Sequence, residues 1–144
     1  LAAEETFRED QRRTIANAQV LATTLTSLGA RVVSGGTDNH LLLVDVTPLG
    51  VTGKEAEHLL DEIGITVNKN AIPFDPLPPN TASGIRVGTP ATTSRGFGTA
   101  EMEAVSRIMI EAIKGRDDPA IQTGLAAQVR EIVERFPVPG LPAA

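Results

Sequence analysis

The 144-residue chain carries 13 basic and 18 acidic side chains, a formal net charge of −5, with 41% hydrophobic and 22% charged residues; that suits one globular domain, which at this size buries roughly 70% of its unfolded surface. It contains no cysteine, which excludes disulfides, thiolate metal sites and cysteine nucleophiles and fits a reducing cytoplasm. With 3% aromatics and neither Trp nor Tyr it lacks the charge and stacking platforms of a nucleic-acid binder, no apolar run reaches the ~18 residues of a membrane span, and His40 and His58, on unrelated segments, do not make a zinc site.

The chain begins at Leu1 rather than Met and enters a helical pattern almost at once, which suggests a piece of a longer protein. Phe7, Ile15, Ala18, Ala22, Leu25 and Leu28 recur at helical spacing and predict one long helix over residues 2–28, stopped by Gly29. Arg31-Val32-Val33 leads into the turn-rich Ser34–Asn39, and the Leu41–Val46 run has the length of a strand. In the same stretch Asp38 and His40 read as part of a turn rather than as a catalytic pair. Thr52-Gly53-Lys54-Glu55 has the spacing of a capping box and predicts a helix that Gly64 ends. Ile65-Thr66-Val67 reads as a short strand.

Pro73, Pro76, Pro78 and Pro79 make residues 70–83 an extended loop, since proline removes donors and fixes φ. Gly84–Gly88 is a strand candidate and residues 89–98 a second loop. Thr99 is placed to cap a helix reaching about Lys114, with Met102 and Met109 seven apart on its core face. Asp118 and Pro119 open a last helix, which the prolines at 137, 139 and 142 do not let continue. Three short strands with helices packed on one side give an α+β fold. The organisation expected is a leading helix over 1–30, an α+β domain over 31–136 and a Pro-rich tail over 137–144.

The chemistry is concentrated in the loops. Arg86 lies between Gly84 and Gly88 on a short strand. The absent side chains would let a ligand approach the backbone, and the guanidinium fork can hold a carboxylate through two hydrogen bonds. The competing reading is an ion pair with an acid such as Asp75. Asn68-Lys69-Asn70 could offer an amide to a polar ligand or close an Asx turn.

Val33-Ser34-Gly35-Gly36-Thr37-Asp38-Asn39-His40-Leu41, Gly64–Asn70, Ile72-Pro73-Phe74-Asp75-Pro76 and Ser83–Ala91, followed by Thr93 and Arg95-Gly96-Phe97, are together similar to serine hydroxymethyltransferase, in order and in spacing, over residues 7–115. The resemblance implies an enzyme that interconverts serine and glycine using pyridoxal phosphate and passes a one-carbon unit to tetrahydrofolate. It further implies an aspartate-aminotransferase-like (fold type I) architecture, of which this chain resembles the small C-terminal domain, in a cytoplasmic homo-oligomer, dimer or tetramer. Arg86 matches the arginine that binds the amino-acid carboxylate, and Asn70 the asparagine that bonds the pterin ring. Pro78, Pro79 and Asn80 fall on a folate-contacting loop, with Asn80 where the family commonly has Phe. The family's cofactor-lysine motif, Thr-Thr-Thr-His-Lys-Thr, has no counterpart here, so the chain alone is expected to be inactive and to bind no pyridoxal phosphate. The alternatives are the small domain of another fold type I enzyme, or a free-standing α+β ligand-binding or interaction module.

Overall fold

The computed structural model describes residues 4–140. The helices are α1 (Glu5–Ser27), α2 (Gly53–Glu62), α3 (Pro90–Ser94), α4 (Thr99–Lys114) and α5 (Pro119–Arg135), and the strands are β1 (Arg31–Val32), β2 (Leu41–Asp45), β3 (Asn68–Asn70) and β4 (Gly84–Gly88). The sheet has four antiparallel strands in the order β1-β2-β4-β3, one more than the sequence pattern suggests. The addition is β1, whose two residues carry no periodicity of their own and pair Arg31 with Asp45 and Val32 with Val44. The pairing is reinforced by the Arg31 guanidinium, whose Nη2 and Nε donate to Asp45 Oδ2 at 2.8 and 3.0 Å.

The third strand lies three residues later than Ile65-Thr66-Val67. The Ile65 amide is spent on the Leu60 carbonyl at 2.8 Å, closing the end of α2, and Gly64 takes φ +89° to make that closure. Val67 then turns into the core, 5% exposed, and pairing starts only at Asn68. Two further differences are local. Residues 90–94 form α3 inside the stretch expected to be loop, because Pro90 at the first helical turn favours it. Gly98, not Thr99, caps α4, and the Glu101 carboxylate accepts its N–H at 2.9 Å.

The starts of α2 and α5 hold as expected. Thr52 Oγ1 accepts the Glu55 amide at 3.2 Å while Glu55 Oε2 accepts the Thr52 amide at 2.7 Å, a complete capping box on α2. Asp118 Oδ1 accepts the Ala120 amide at 2.9 Å ahead of α5. Residues 5–27 are helical; Leu1 and the first two residues of the expected helix, Ala2 and Ala3, lie outside the described residues, as do residues 141–144 of the tail.

Strand alternation separates the sheet into two faces. Val32, Leu42, Val44 and Ile85 share one face and join Leu25 of α1, Leu60 of α2 and Met109 and Ile113 of α4 in the core. Leu43, Arg86 and Asn68 stand in a row on the other face, Arg86 and Asn68 exposed. Along α1 the buried stripe is Thr14, Asn17, Ala18, Leu21, Ala22 and Leu25. Phe7 and Ile15, which share its helical spacing, stay outside at 42% and 36% exposure. Asn17 is the polar member of that stripe: its Nδ2 donates to Thr93 Oγ1 at 2.9 Å and to the Phe97 carbonyl at 3.0 Å. These bonds fasten α1 to the segment around α3.

The loop between β3 and β4 is ordered around one carboxylate. Asp75 Oδ2 accepts the amides of Ile72 (3.0 Å) and Ser83 (2.9 Å), and Oδ1 accepts the Leu77 amide (2.9 Å) and the Ser83 hydroxyl (2.6 Å). Desolvation pushes the carboxyl upward, but the bonds from the Ser83 side chain and from the Leu77, Ser83 and Ile72 amides outweigh it and hold the acid well below its ordinary range. The loop so fixed contains two non-glycine residues in the left-handed region, Phe74 at φ +58° and Ala82 at φ +56°. Its returning arm caps α2, with the Ala82 and Thr81 carbonyls accepting the Gly53 and Lys54 amides at 2.8 and 2.9 Å. A Cβ on Gly53 would overlap the Gly84 carbonyl oxygen, so this approach of helix to strand requires glycine.

Gly53→Ala is therefore expected to cost about 1–3 kcal/mol, measured as a lower denaturation midpoint at unchanged m-value. For Asp75 the sign follows from its lowered carboxyl. The stability it contributes is complete above the unfolded value near ~3.9 and is lost as pH falls through the folded value. Asp75→Asn should lower the melting temperature near neutral pH and flatten its decline below about pH 4; an unchanged acid limb would show that Asp75 does not carry this stability.

Candidate functional site

Arg86 is held by the two strands flanking β4. Leu43 of β2 and Asn68 of β3 stand opposite it in register, so its Cα is fixed from both sides while the side chain leaves the face of the sheet that the core does not use. Among the described residues no hydrogen bond or ion pair engages its guanidinium. The ion pair with Asp75 is not made, because all of that carboxylate's contacts go to Ile72, Leu77 and Ser83. Among the described residues Arg107 and Arg130 are likewise without a hydrogen-bond or ion-pair partner; what sets Arg86 apart is its place on a central strand, where a guanidinium can take an anion.

The flanking glycines have a different role from the one their spacing suggests. A Cβ at Gly84 would lie 2.8 Å from the Ile72 methyl, 2.9 Å from the Asn70 carbonyl oxygen and 3.0 Å from the Val44 carbonyl oxygen. At Gly88 it would lie 3.3 Å from the His40 carbonyl oxygen. Both glycines admit the protein's own loops rather than a ligand.

Asn70 shares the Arg86 face, two pairs further along β3 and opposite Gly84. It is half-buried, and its Nδ2 donates to the adjoining Ala71 carbonyl at 2.8 Å. Arg86 and Asn70 are thus brought onto one surface by the β3–β4 pairing. Pro78, Pro79 and Asn80 are not in that row. They form an exposed turn in which the Pro78 carbonyl accepts the Thr81 and Ala82 amides, both at 2.9 Å, next to the first turn of α2. Asp38 and His40 are both exposed in the turn before β2, which is tied by Thr37 Oγ1 to the Leu41 carbonyl and by the Leu41 amide to Asn39 Oδ1.

Arg86 also stands at the rim of a cavity of about 570 Å³ whose walls come from the β4 end of the sheet, α4 and α5. None of the three lysines borders it. Lys69 Nζ is bonded to Glu57 at 3.0 Å, Lys114 Nζ to the Leu28 carbonyl at 3.0 Å, and Lys54 is exposed in the first turn of α2. The residues present therefore do not make a site for pyridoxal phosphate, whose attachment needs a lysine held against the ring beside a phosphate cradle. No group of His, Cys, Asp and Glu able to hold a metal ion occurs among the described residues, and no helix there is long and apolar enough to cross a membrane.

Two structural features that hold the Arg86 region together have weak or no signal in the sequence. Asn17 looks like one more polar residue on a charged helix, and only tertiary contact shows it buried. The four-bond role of Asp75 is hidden because its donors lie three positions before it and two and eight after it.

The serine hydroxymethyltransferase family model matches residues 1–109. Among characterised proteins the chain is 52% identical over 132 residues to a serine hydroxymethyltransferase of Myxococcus xanthus (strain DK1622), covering 92% of this chain and 32% of that protein. It is 49% identical over 140 residues to one of Sorangium cellulosum (strain So ce56), covering 97% and 33% respectively. A third, from Sphingopyxis alaskensis, is 48% identical over 138 residues. The chain spans about a third of the length of these relatives. On the strength of a match across three quarters of its residues, a stretch that includes Arg86, the chain belongs to the serine hydroxymethyltransferase family.

Proposed function

We propose that the chain forms the small C-terminal domain of a fold type I, pyridoxal-phosphate-dependent enzyme that interconverts serine and glycine with tetrahydrofolate as one-carbon acceptor. The observation that carries this reading is the unengaged Arg86 on a central strand, inside the stretch that matches the serine hydroxymethyltransferase family model. Its role is to bind the amino-acid carboxylate through two parallel hydrogen bonds and so orient the substrate's α-carbon. The cofactor supplies the electron sink when bound, and both its lysine and its phosphate cradle belong to the part of the enzyme outside this chain.

Asn70 is assigned to the pterin ring, since it shares the Arg86 face and carries an amide able to both donate and accept. Pro78, Pro79 and Asn80 are assigned to the outer part of the folate site. With Asn80 in place of an aromatic, that turn offers hydrogen bonding where a ring would offer stacking. The domain is read as a leading helix over 1–30, the α+β body over 31–136 and a Pro-rich tail. The working enzyme is read as a cytoplasmic homo-oligomer, dimer or tetramer, and the chain by itself as inactive.

The test is Arg86→Lys in the full-length enzyme. An ammonium cannot reproduce the planar fork, and losing a hydrogen bond to a charged partner costs about 2–3 kcal/mol, roughly 30- to 150-fold. Serine turnover should fall by that factor, chiefly through KM for serine, at an unchanged melting temperature, because Arg86 holds nothing together in the fold. A melting temperature that drops along with activity would assign Arg86 to structure and overturn the reading.

A further inference from the structure

β3, which carries Asn68 and Asn70, is three residues long, lies at the edge of the sheet and pairs only with β4. Along β4 alternate residues turn to opposite neighbours. Ser83 and Thr89 bond toward β2, at Val46 and His40, so Gly84 and Arg86 turn toward Asn70 and Asn68. The backbone of Lys69, between those two asparagines, therefore points away from β4 and out of the sheet. Its amide does not go to water. Glu57 Oε1 accepts it at 3.0 Å, and Glu57 Oε2 accepts Lys69 Nζ, also at 3.0 Å. One carboxylate from α2 thus takes both donors of the strand's middle residue, and both side chains of the pair are half-buried.

The helix that reaches across is itself fixed. Ala56 and Leu60, on either side of Glu57, are fully buried, and the Gly53 and Lys54 amides are held by the Ala82 and Thr81 carbonyls. The contacts close a ring: α2 holds β3 through Glu57, β3 runs into the Asp75 loop at Asn70, and the returning arm of that loop holds the start of α2. Arg86 and Asn70 depend on this ring to different degrees. β4 pairs with β2 over all five of its residues, so Arg86 keeps its place from that side alone, whereas the strand carrying Asn70 has β4 on one side and Glu57 on the other. We propose that Glu57 is a positioning residue for the one-carbon acceptor: by accepting the Lys69 amide it sets the seat of β3 and so aims the Asn70 side chain. It acts through the strand and not on a substrate. The proposal rests on the assignment of Asn70 to the pterin ring given above.

The experiment compares Glu57→Ala and Glu57→Gln in the full-length enzyme, by steady-state kinetics for both substrates and by amide hydrogen exchange over residues 68–70. Glu57→Ala should raise KM for tetrahydrofolate roughly threefold to tenfold, the effect of one misdirected hydrogen bond, while kcat and KM for serine stay unchanged. Glu57→Gln should behave like the unsubstituted enzyme, because Gln Oε1 still accepts the fixed Lys69 amide and the lysine side chain, 34% exposed, turns to water. Exchange over 68–70 should quicken in the Ala variant and not in the Gln variant. Asp118→Ala, which removes the cap of α5, is the control for destabilisation alone: it should lower the melting temperature and leave both KM values as they are. A parallel rise in both KM values, a Gln variant as impaired as the Ala variant, or a tetrahydrofolate KM that moves in Asn70→Ala but not in Glu57→Ala would each overturn the proposal. Quickened exchange in Glu57→Ala, with KM for tetrahydrofolate unmoved in both that variant and Asn70→Ala, would uphold the hold on β3 and overturn the pterin assignment instead.

Discussion

The Asp75 carboxylate is the point on which the Arg86 face of the sheet depends. Its four donors come from both arms of the loop between β3 and β4, so one acid group sets where the chain leaves Asn70 and where it re-enters at Ser83. Ser83 then passes its carbonyl to the Val46 amide at 3.1 Å, and the strand carrying Arg86 begins one residue later. A proline-rich loop has few amides with which to organise itself. An ionised acceptor collecting the few that remain is an effective solution, because hydrogen bonds to charge are shorter and stronger than neutral ones. The same commitment keeps Asp75 away from Arg86, and the guanidinium stays free as a consequence.

A second constraint runs through contacts that tolerate no side chain. Gly53 meets the Gly84 carbonyl, and Gly84 meets the methyl of Ile72, so helix, strand and loop are stacked at one point. Gly53 and Lys54 donate to carbonyls of the loop while Thr52 and Glu55 cap the helix from its own side. Every exposed donor at the start of α2 that the loop reaches is therefore used to hold the loop. On the opposite flank, Asn17 and the bond from Thr89 Oγ1 to the Thr14 carbonyl at 2.7 Å attach α1 to the far end of β4. The strand is anchored at both ends, and only its middle residue projects without a partner.

How much of this the sequence carries depends on the range of the signal. The capping box, the Gly29 and Gly64 stops, the Leu41–Val46 run and the Asp118-Pro119 start are local, and each is visible in a window of a few residues. The position of β3 is not local. Ile65-Thr66-Val67 has the β-branched composition of a strand, but the closure of α2 consumes the Ile65 amide and moves pairing to the polar Asn68-Lys69-Asn70, where Glu57 accepts the Lys69 amide at 3.0 Å. The two-residue β1 is too short to carry a period, and α3 hides behind a proline that reads as a loop marker. For the site, the Gly-Ile-Arg-Val-Gly pattern identifies Arg86 as the residue to examine. It misassigns the glycines, because what fills their missing side-chain volume comes from Ile72 and His40, remote in sequence.

An unpaired cation is an unusual thing for a fold to preserve at the centre of a sheet. The chain has ample acid with which to neutralise it, 18 carboxylates against 13 basic groups, yet every carboxylate near the sheet is directed elsewhere: Asp45 to Arg31 and Thr47, Glu57 to Lys69, Asp75 to its loop. Each of these acids is held below its ordinary value by the bonds it accepts, so none is a labile partner that could swing over to Arg86. Such an arrangement leaves the guanidinium without a competing carboxylate from its own sheet. The cost of leaving it solvated is small, because an exposed ion pair would have contributed little. In a drier, lower-dielectric surrounding the same guanidinium would hold an anion far more strongly. Among the described residues, then, Arg86 is a charge fixed in place by its flanking strands, and its strength as an anion site depends on how dry its surroundings are.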